Sequence, residues 1–229
     1  MTDIQRICFM VPITDMEKFR EAQGYIEKLR VPRGVQVEIA ALQAYHSMAE
    51  SYNEAMHRKT ARYKVYMHQD VCIIHSDFIV KLLDLFQQHP EIGIAGVVGS
   101  AGLPSSGVWW EDSSLLGAIF DDHKGRMAPY IYSRSAEAFL EAAVLDGLLL
   151  ATQYDIPWRE DIFTAWHFYD VSQCMEFRRR GYKAAVLGQK SPWCIHKCGQ
   201  KLLGKNYEQE RQKFVQVYDD LLPIAGREA

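Results

Sequence analysis

Apolar and polar positions alternate along this chain in blocks that change period. "IQRICFMVP" (Ile4 to Pro12) is a short, nearly continuous apolar run closed by proline, which reads as a buried strand. Thr14 and Glu17 then stand at capping-box spacing and open a helix expected to run to about Leu29. "GVQVEIAAL" (Gly34 to Leu42) alternates like a second strand. Ser47 and Glu50 repeat the capping pattern for a helix through Asn53 and Met56 to about Ala61. "YKVYMHQDVCI" holds a third strand; if it ends at His68-Gln69-Asp70, "VCII" is a further short extended piece. Ser76 is the expected cap of "DFIVKLLDLFQQH", a helix that Pro90 ends. "IGIAGVVG" (Ile92 to Gly99) reads as one fourth strand covered on both faces.

Strands alternating with helices at this spacing predict a doubly wound α/β sheet, in which ligands bind beyond the carboxyl ends of the strands. The alternation breaks from Gly99 to Ser135, where "SAGLPSSGVWWEDSS" is rich in Gly, Ser and aromatics. Strand-like fragments surround Ala118 and Tyr130. An irregular insert of this length is more often a binding loop than a linker. Downstream, "AFLEAAVLDGLLLAT" reads as buried extended structure. "FYDVSQCMEFRRRGYKAAVLG" is a helix closed by Gly181 and followed by a strand, and "NYEQERQKFVQVYDDLL" is a final amphipathic helix.

Composition narrows the class. The chain has 229 residues, 48% apolar and 24% charged, with a net charge of −3, which suits one ordinary globular domain. That charge offers no general attraction to nucleic acid or to an anionic membrane. No apolar run reaches the roughly 20 residues needed to span a bilayer. Five cysteines, an odd number, and an N-terminus without a secretory pattern place the expected compartment in the cytoplasm.

Four polar clusters interrupt this apolar framework: "HQD" (68 to 70), "LDG" (145 to 147), "WHFYD" (166 to 170) and "WCIHKCG" (193 to 199). A carboxylate within an apolar strand must be paired, bind a cation or open to a cleft, because an isolated buried charge is costly. "WHFYD" also reads as a helix entry with Asp170 as its cap. Cys194, His196 and Cys198 are possible zinc ligands, but their spacing suits one face of a strand and no CxxC pair exists. The absence of GxGxxG after the first strand and of GxxxxGK[ST] argues against a Rossmann dehydrogenase and a P-loop NTPase.

Taken in order, these motifs resemble the family-2-like glycosyltransferases of GT-A fold over nearly the whole chain. The likeness is carried by Tyr52-Asn53-Glu54-Ala55, His68-Gln69-Asp70-Val71, Asp146-Gly147, His167-Phe168-Tyr169-Asp170 and His196. It implies a nucleotide-sugar-binding half (1–99), an acceptor-side half (100–205) and a C-terminal helix (206–229). It also implies inverting transfer of a sugar from a nucleotide-diphosphate-sugar, UDP-sugars foremost, to a glycan or other acceptor hydroxyl, with Mn²⁺ or Mg²⁺. Asp70 matches the metal-binding carboxylate of the family's DXD motif, whose first position is here His68, and His196 is a second ligand. Donor contacts fall on Pro12, Ile13, His68 and Gln69, and on Asn53, for which helix packing is an equal alternative. Asp170 takes the place of the catalytic base, although a helix N-terminus favours its charged form and so weakens it as a base.

Asp146, Gly147, Trp166 and His167 border the sugar and acceptor, Gly147 letting backbone pass close to a ligand; Trp166, Trp109 and Trp110 offer flat faces to a sugar ring, with core packing an equal alternative for each. A non-catalytic GT-A-like domain that binds a nucleotide-sugar or glycan is the alternative, favoured by His68. A nucleotidyltransferase on the same fold would want basic residues in the first loop, which has none before Lys18.

Overall fold

A computed structural model of the chain describes residues 5–43, 46–200, 204 and 206–226. The expected start at Ile4 and the last residues of the C-terminal segment, 227–229, lie outside them. Within this range the elements are β1 (Gln5–Ile13), α1 (Met16–Ile26), β2 (Val35–Gln43), α2 (Met48–Arg58), β3 (Tyr63–Met67), β4 (Val71–Ile73) and α3 (Phe78–Gln88). They continue with β5 (Ile92–Gly96), β6 (Val98–Ser100), β7 (Leu115–Asp121), β8 (Ala128–Ile131), β9 (Phe139–Ala142), β10 (Val144–Leu145) and β11 (Leu149–Thr152). The last are α4 (Tyr169–Arg179), β12 (Lys183–Leu187), β13 (Cys194–His196) and α5 (Tyr207–Val217).

The main sheet has the order β2-β1-β3-β11-β5-β12-β9, with parallel pairing of β1 to β2 and β3 and of β5 to β12. β11 and β9 run antiparallel to their neighbours, so this is a mixed α/β sheet. The apolar runs of β1, β3 and β5 are buried on both faces, as a sheet covered by helices requires. Each aliphatic side chain so buried is worth about 1.5–3 kcal/mol.

A second sheet, β10-β6-β7-β13-β4 with β8 on β7, takes in β4 and β6, which follow the carboxyl ends of β3 and β5. It accounts for the largest departure from the sequence reading. "IGIAGVVG" is two strands, broken at Val97, and they belong to different sheets. Gly117 crosses at this break with φ +89°, and a Cβ there would collide with the Val97 carbonyl. The expected strand-like fragments around Ala118 and Tyr130 are β7 and β8, which pair antiparallel, and the insert also contains a 3-10 turn at Trp109–Glu111.

Two caps also differ. Asp15, not Thr14, caps α1 through Oδ1, which accepts from the Glu17 and Lys18 N–H groups. The Thr14 hydroxyl instead accepts from the Gln69 amide. At α3 the cap position is Asp77 rather than Ser76, and no side chain caps it. Ser47 caps α2 as expected, accepting from the Glu50 N–H.

Candidate functional site

Sheet register brings the polar clusters to one edge. β1 and β3 run parallel, so Pro12 and the His68-Gln69-Asp70 turn leave the sheet at the same end. β11 is antiparallel to β3, with Leu149 opposite Met67, which sets Asp146-Gly147 beside that turn; the His68 N–H donates to the Leu148 carbonyl. β13 pairs with β4 and β7, bringing His196 opposite Val71 on one side and Asp121 on the other.

Two cavities adjoin there. One, of about 470 Å³, is lined by Pro12, Thr14, Gln69, Asp70 and Cys198. The other, of about 290 Å³, is lined by Trp109, Trp110, Asp146, Asp170 and Tyr207. His68, Trp166, His167 and His196 line both. A wider hollow of about 700 Å³ lies at the opposite end of β1, near Gln5, Gly34 and Asp84. Among the described residues it gathers no cluster of His, Cys and carboxylates.

In the first cavity, ligand atoms of His68, Asp70 and His196 lie within 4.8 Å of one another. Asp70, which is 6% exposed, meets His196 Nε2 at 3.5 Å and the Lys18 ammonium at 3.4 Å. His196 Nδ1 is 2.9 Å from Asp121 Oδ2. A carboxylate on one imidazole nitrogen fixes the tautomer and leaves the other nitrogen a lone pair, the usual support of a metal-bound histidine. This donor set of carboxylate and imidazole fits a divalent ion such as Mn²⁺. Burial would lower the His196 pKa, but hydrogen bonds to Asp121, Asp70 and Cys198 outweigh it and raise it well above its usual value.

In the second cavity Asp170 lies in the first turn of α4, half-buried. It is not the cap: Phe168 holds that position, with the left-handed φ of 60°. A non-glycine residue there stores strain, of a kind that clusters at functional sites. Asp170 Oδ2 accepts from the Gly147 N–H at 2.8 Å. Burial, and next the charge of Asp146, raise the Asp170 pKa to about 7, against the pull of the Val171 and Gly147 N–H groups. The expected weakening by the helix N-terminus is thus outweighed by desolvation. Asp146 is itself raised by burial and accepts from the Leu148 N–H. His68 Nε2 and the Tyr169 hydroxyl, 2.7 Å apart, join the two cavities.

Several expected contacts have other roles. Asn53 is buried away from both cavities: its amide donates to the Trp158 carbonyl and accepts from the Trp158 N–H. Ile13 packs against the core, leaving Pro12 alone at the cavity wall. Gln69 lines the cavity but holds the first loop, its Oε1 accepting from the Thr14 and Asp15 N–H groups. Gly147 is required by close packing, since a Cβ would collide with the Tyr169 hydroxyl rather than with a ligand. Trp166 and Trp110 remain open, at 44% and 45% exposure, while Trp109 is buried. Cys194 is fully buried and takes no part in either ligand cluster.

Sequence reasoning missed Asp121, Tyr169 and Lys18 as parts of the site. Asp121 had a usable signal, since it ends the apolar run "LLGAIF" just as Asp70 follows "YKVYM".

The model of the Glycosyltransferase like family matches residues 8–218. No curated protein sequence matches the chain. Among solved structures, GalNAc-T7 with UDP, GalNAc and Mn²⁺ superposes with a TM-score of 0.66 at 9% identity, over 96% of this chain and 49% of that one. The mannosyltransferase PcManGT from Pyrobaculum calidifontis, with GDP-Man and Mn²⁺, gives 0.57 at 12% identity, covering 100% and 67%. S. aureus TarS 1-349 with UDP gives 0.54 at 12% identity, covering 93% and 65%. The chain therefore spans about half of the first structure and about two thirds of the others. At such identities the likeness establishes the fold, which is that of GT-A glycosyltransferases.

Proposed function

This chain belongs to the glycosyltransferase-like family, and on that premise we propose that it moves a sugar from a nucleotide-diphosphate-sugar to an acceptor hydroxyl with inversion. The observation that carries the reading is the junction of the two cavities. Asp70 lies on one side, Asp170 on the other, and His68, Trp166, His167 and His196 line both. An in-line displacement needs that arrangement: the leaving diphosphate on one face of the sugar, a proton acceptor on the other.

On the donor side, Asp70, His196 and His68 would hold a divalent ion beside the diphosphate. Bound there, such an ion neutralises the charge that grows on the leaving phosphate oxygens. Lys18 adds a second positive charge at the same edge. On the acceptor side, the attacking hydroxyl gives its proton to Asp170 as its oxygen bonds to the anomeric carbon and the bond to the diphosphate breaks. A pKa of about 7 suits that role at neutral pH, because the carboxylate is populated yet basic enough to take the proton. The exposed indoles of Trp110 and Trp166 offer apolar faces to sugar rings. We assign 1–99 to the donor side and 100–205 to the acceptor side, with Trp166, His167, His196 and Cys198 reaching the donor cavity and His68 the acceptor one.

The test is a donor screen by thermal shift with UDP-, GDP- and dTDP-sugars, each with and without Mn²⁺, followed by transfer assays with the stabilising donor. Metal-dependent stabilisation by a nucleotide-sugar supports the reading, since a ligand of the native state raises its stability. Donor binding without transfer to any acceptor, water included, would instead support a binding module.

A further inference from the structure

We propose that Cys198, His196 and Asp121 form a second cation site, selective for a thiophilic divalent ion such as Zn²⁺, whose filling stops His196 from ligating an ion held by Asp70. The blocking part of this inference rests on the reading of Asp70 and His196 as the donor-side metal site.

The site is built by β13 and the turn after it. His196 faces Asp121 in the parallel register of β13 on β7, with Nδ1 2.9 Å from Oδ2. Two residues later the chain folds back, pinned by the Gly199 N–H on Asp122 Oδ1 at 2.7 Å. Cys198 Sγ thereby comes within 3.5 Å of Asp121 Oδ1 and 3.6 Å of Asp122 Oδ1. Ligand atoms of Asp121, His196 and Cys198 all lie within 4.8 Å of one another. A tetrahedral zinc with ordinary Zn–S, Zn–N and Zn–O bonds has edges of about 3.3–3.6 Å, so the three need little movement. Cys198 and His196 both line the open cavity, which gives an ion a way in and leaves the fourth position to water.

The two sites differ in chemistry. A thiolate draws Zn²⁺, whereas the Asp70 side, of carboxylate and imidazole alone, suits harder ions such as Mn²⁺. On binding, the Cys198 thiol releases its proton to solvent and His196 ligates through Nδ1. A neutral imidazole ligated at Nδ1 carries its proton on Nε2, the atom that faces Asp70. That nitrogen then donates to Asp70 and can no longer hold a metal there. One histidine thus serves one ion at a time.

The experiment titrates the metal-free full chain with Co²⁺, whose thiolate charge-transfer band in the near ultraviolet reports sulfur ligation, and follows Mn²⁺ separately by electron paramagnetic resonance. The expected band saturates near one Co²⁺ per chain, persists in Asp70→Asn and disappears in Cys198→Ser. Zn²⁺ should release bound Mn²⁺ from the parent, and Cys198→Ser should need about tenfold more Zn²⁺ for the same release, a 1.4 kcal/mol loss. No thiolate band in the parent, or a band that survives in Cys198→Ser, overturns the site. Equal release from parent and variant overturns the blocking. If Asp70→Asn holds Mn²⁺ as well as the parent does, the donor-side reading fails, and the thiolate band still decides the second site.

Discussion

Replacing Asp170 by asparagine separates its charge from its shape. The amide keeps an oxygen that can accept from the Gly147 N–H, so the 2.8 Å contact survives. What disappears is a buried carboxyl whose pKa the fold raises from 3.8 to about 7. Because the folded pKa lies above the unfolded one, the native state binds more protons between pH 4 and 7. Stability therefore falls as pH rises through that window and is level above it. At about 1.4 kcal/mol per pKa unit the full cost is about 4–5 kcal/mol, and solvent in the cleft reduces it to about 2–4 kcal/mol.

Asp170→Asn lacks this cost, so its advantage over the parent should grow from pH 4 to pH 8. For a chain of this size the growth corresponds to about 4–16 °C in Tm. The rate should move the opposite way. Loss of a positioned base costs about 10²–10⁴-fold, or about 3–5 kcal/mol in the barrier. The parent's kcat/KM should climb about tenfold per pH unit below pH 7 and flatten above it, while the variant stays flat. Thermal melts at pH 4 and 8 and a transfer assay across the same range check both halves. Transfer by Asp170→Asn at the parent's rate, or a parental rate flat from pH 5 to 8, would refute the argument.

Asp146→Asn removes the charge that helps to raise Asp170, so the midpoint of the pH–rate curve should shift to lower pH while transfer persists; an unshifted midpoint means the two do not interact. Asp70→Ala should abolish Mn²⁺-dependent nucleotide binding in a titration calorimeter, with an intact circular-dichroism spectrum. Gly147→Ala must displace Tyr169 and should cost about 1–3 kcal/mol in urea unfolding, with a lower kcat as Asp170 loses its place. Asn53→Ala strands the Trp158 N–H and carbonyl and should cost about 2–4 kcal/mol, while the folded variant keeps the parent's donor affinity; weakened donor binding would return Asn53 to the site.

The chain's own pattern determined most of its elements. Apolar runs bounded by Pro, Gly and capping residues marked β1, β2, β3 and the helices to within a few residues, because burial and local hydrogen bonds act over short separations. The motifs around Asp70, Asp146, Asp170 and His196 were visible as polar residues set into apolar stretches, where a buried charge needs a reason. Tertiary structure decided which of them meet. Asp121 stands 75 residues from His196, and only the pairing of β13 with β7 brings the two to 2.9 Å. The break of "IGIAGVVG" at Val97 depends on β6 pairing in a second sheet, which an unbroken apolar run cannot announce. The residue types of Asn53 and Gly147 suit a place beside a ligand, and for Asn53 equally a packing role; their neighbours, Trp158 and Tyr169, arrive from distant segments. The Asp170 pKa follows the same rule: the helix end is local and lowers it, whereas desolvation by the assembled walls is global and wins.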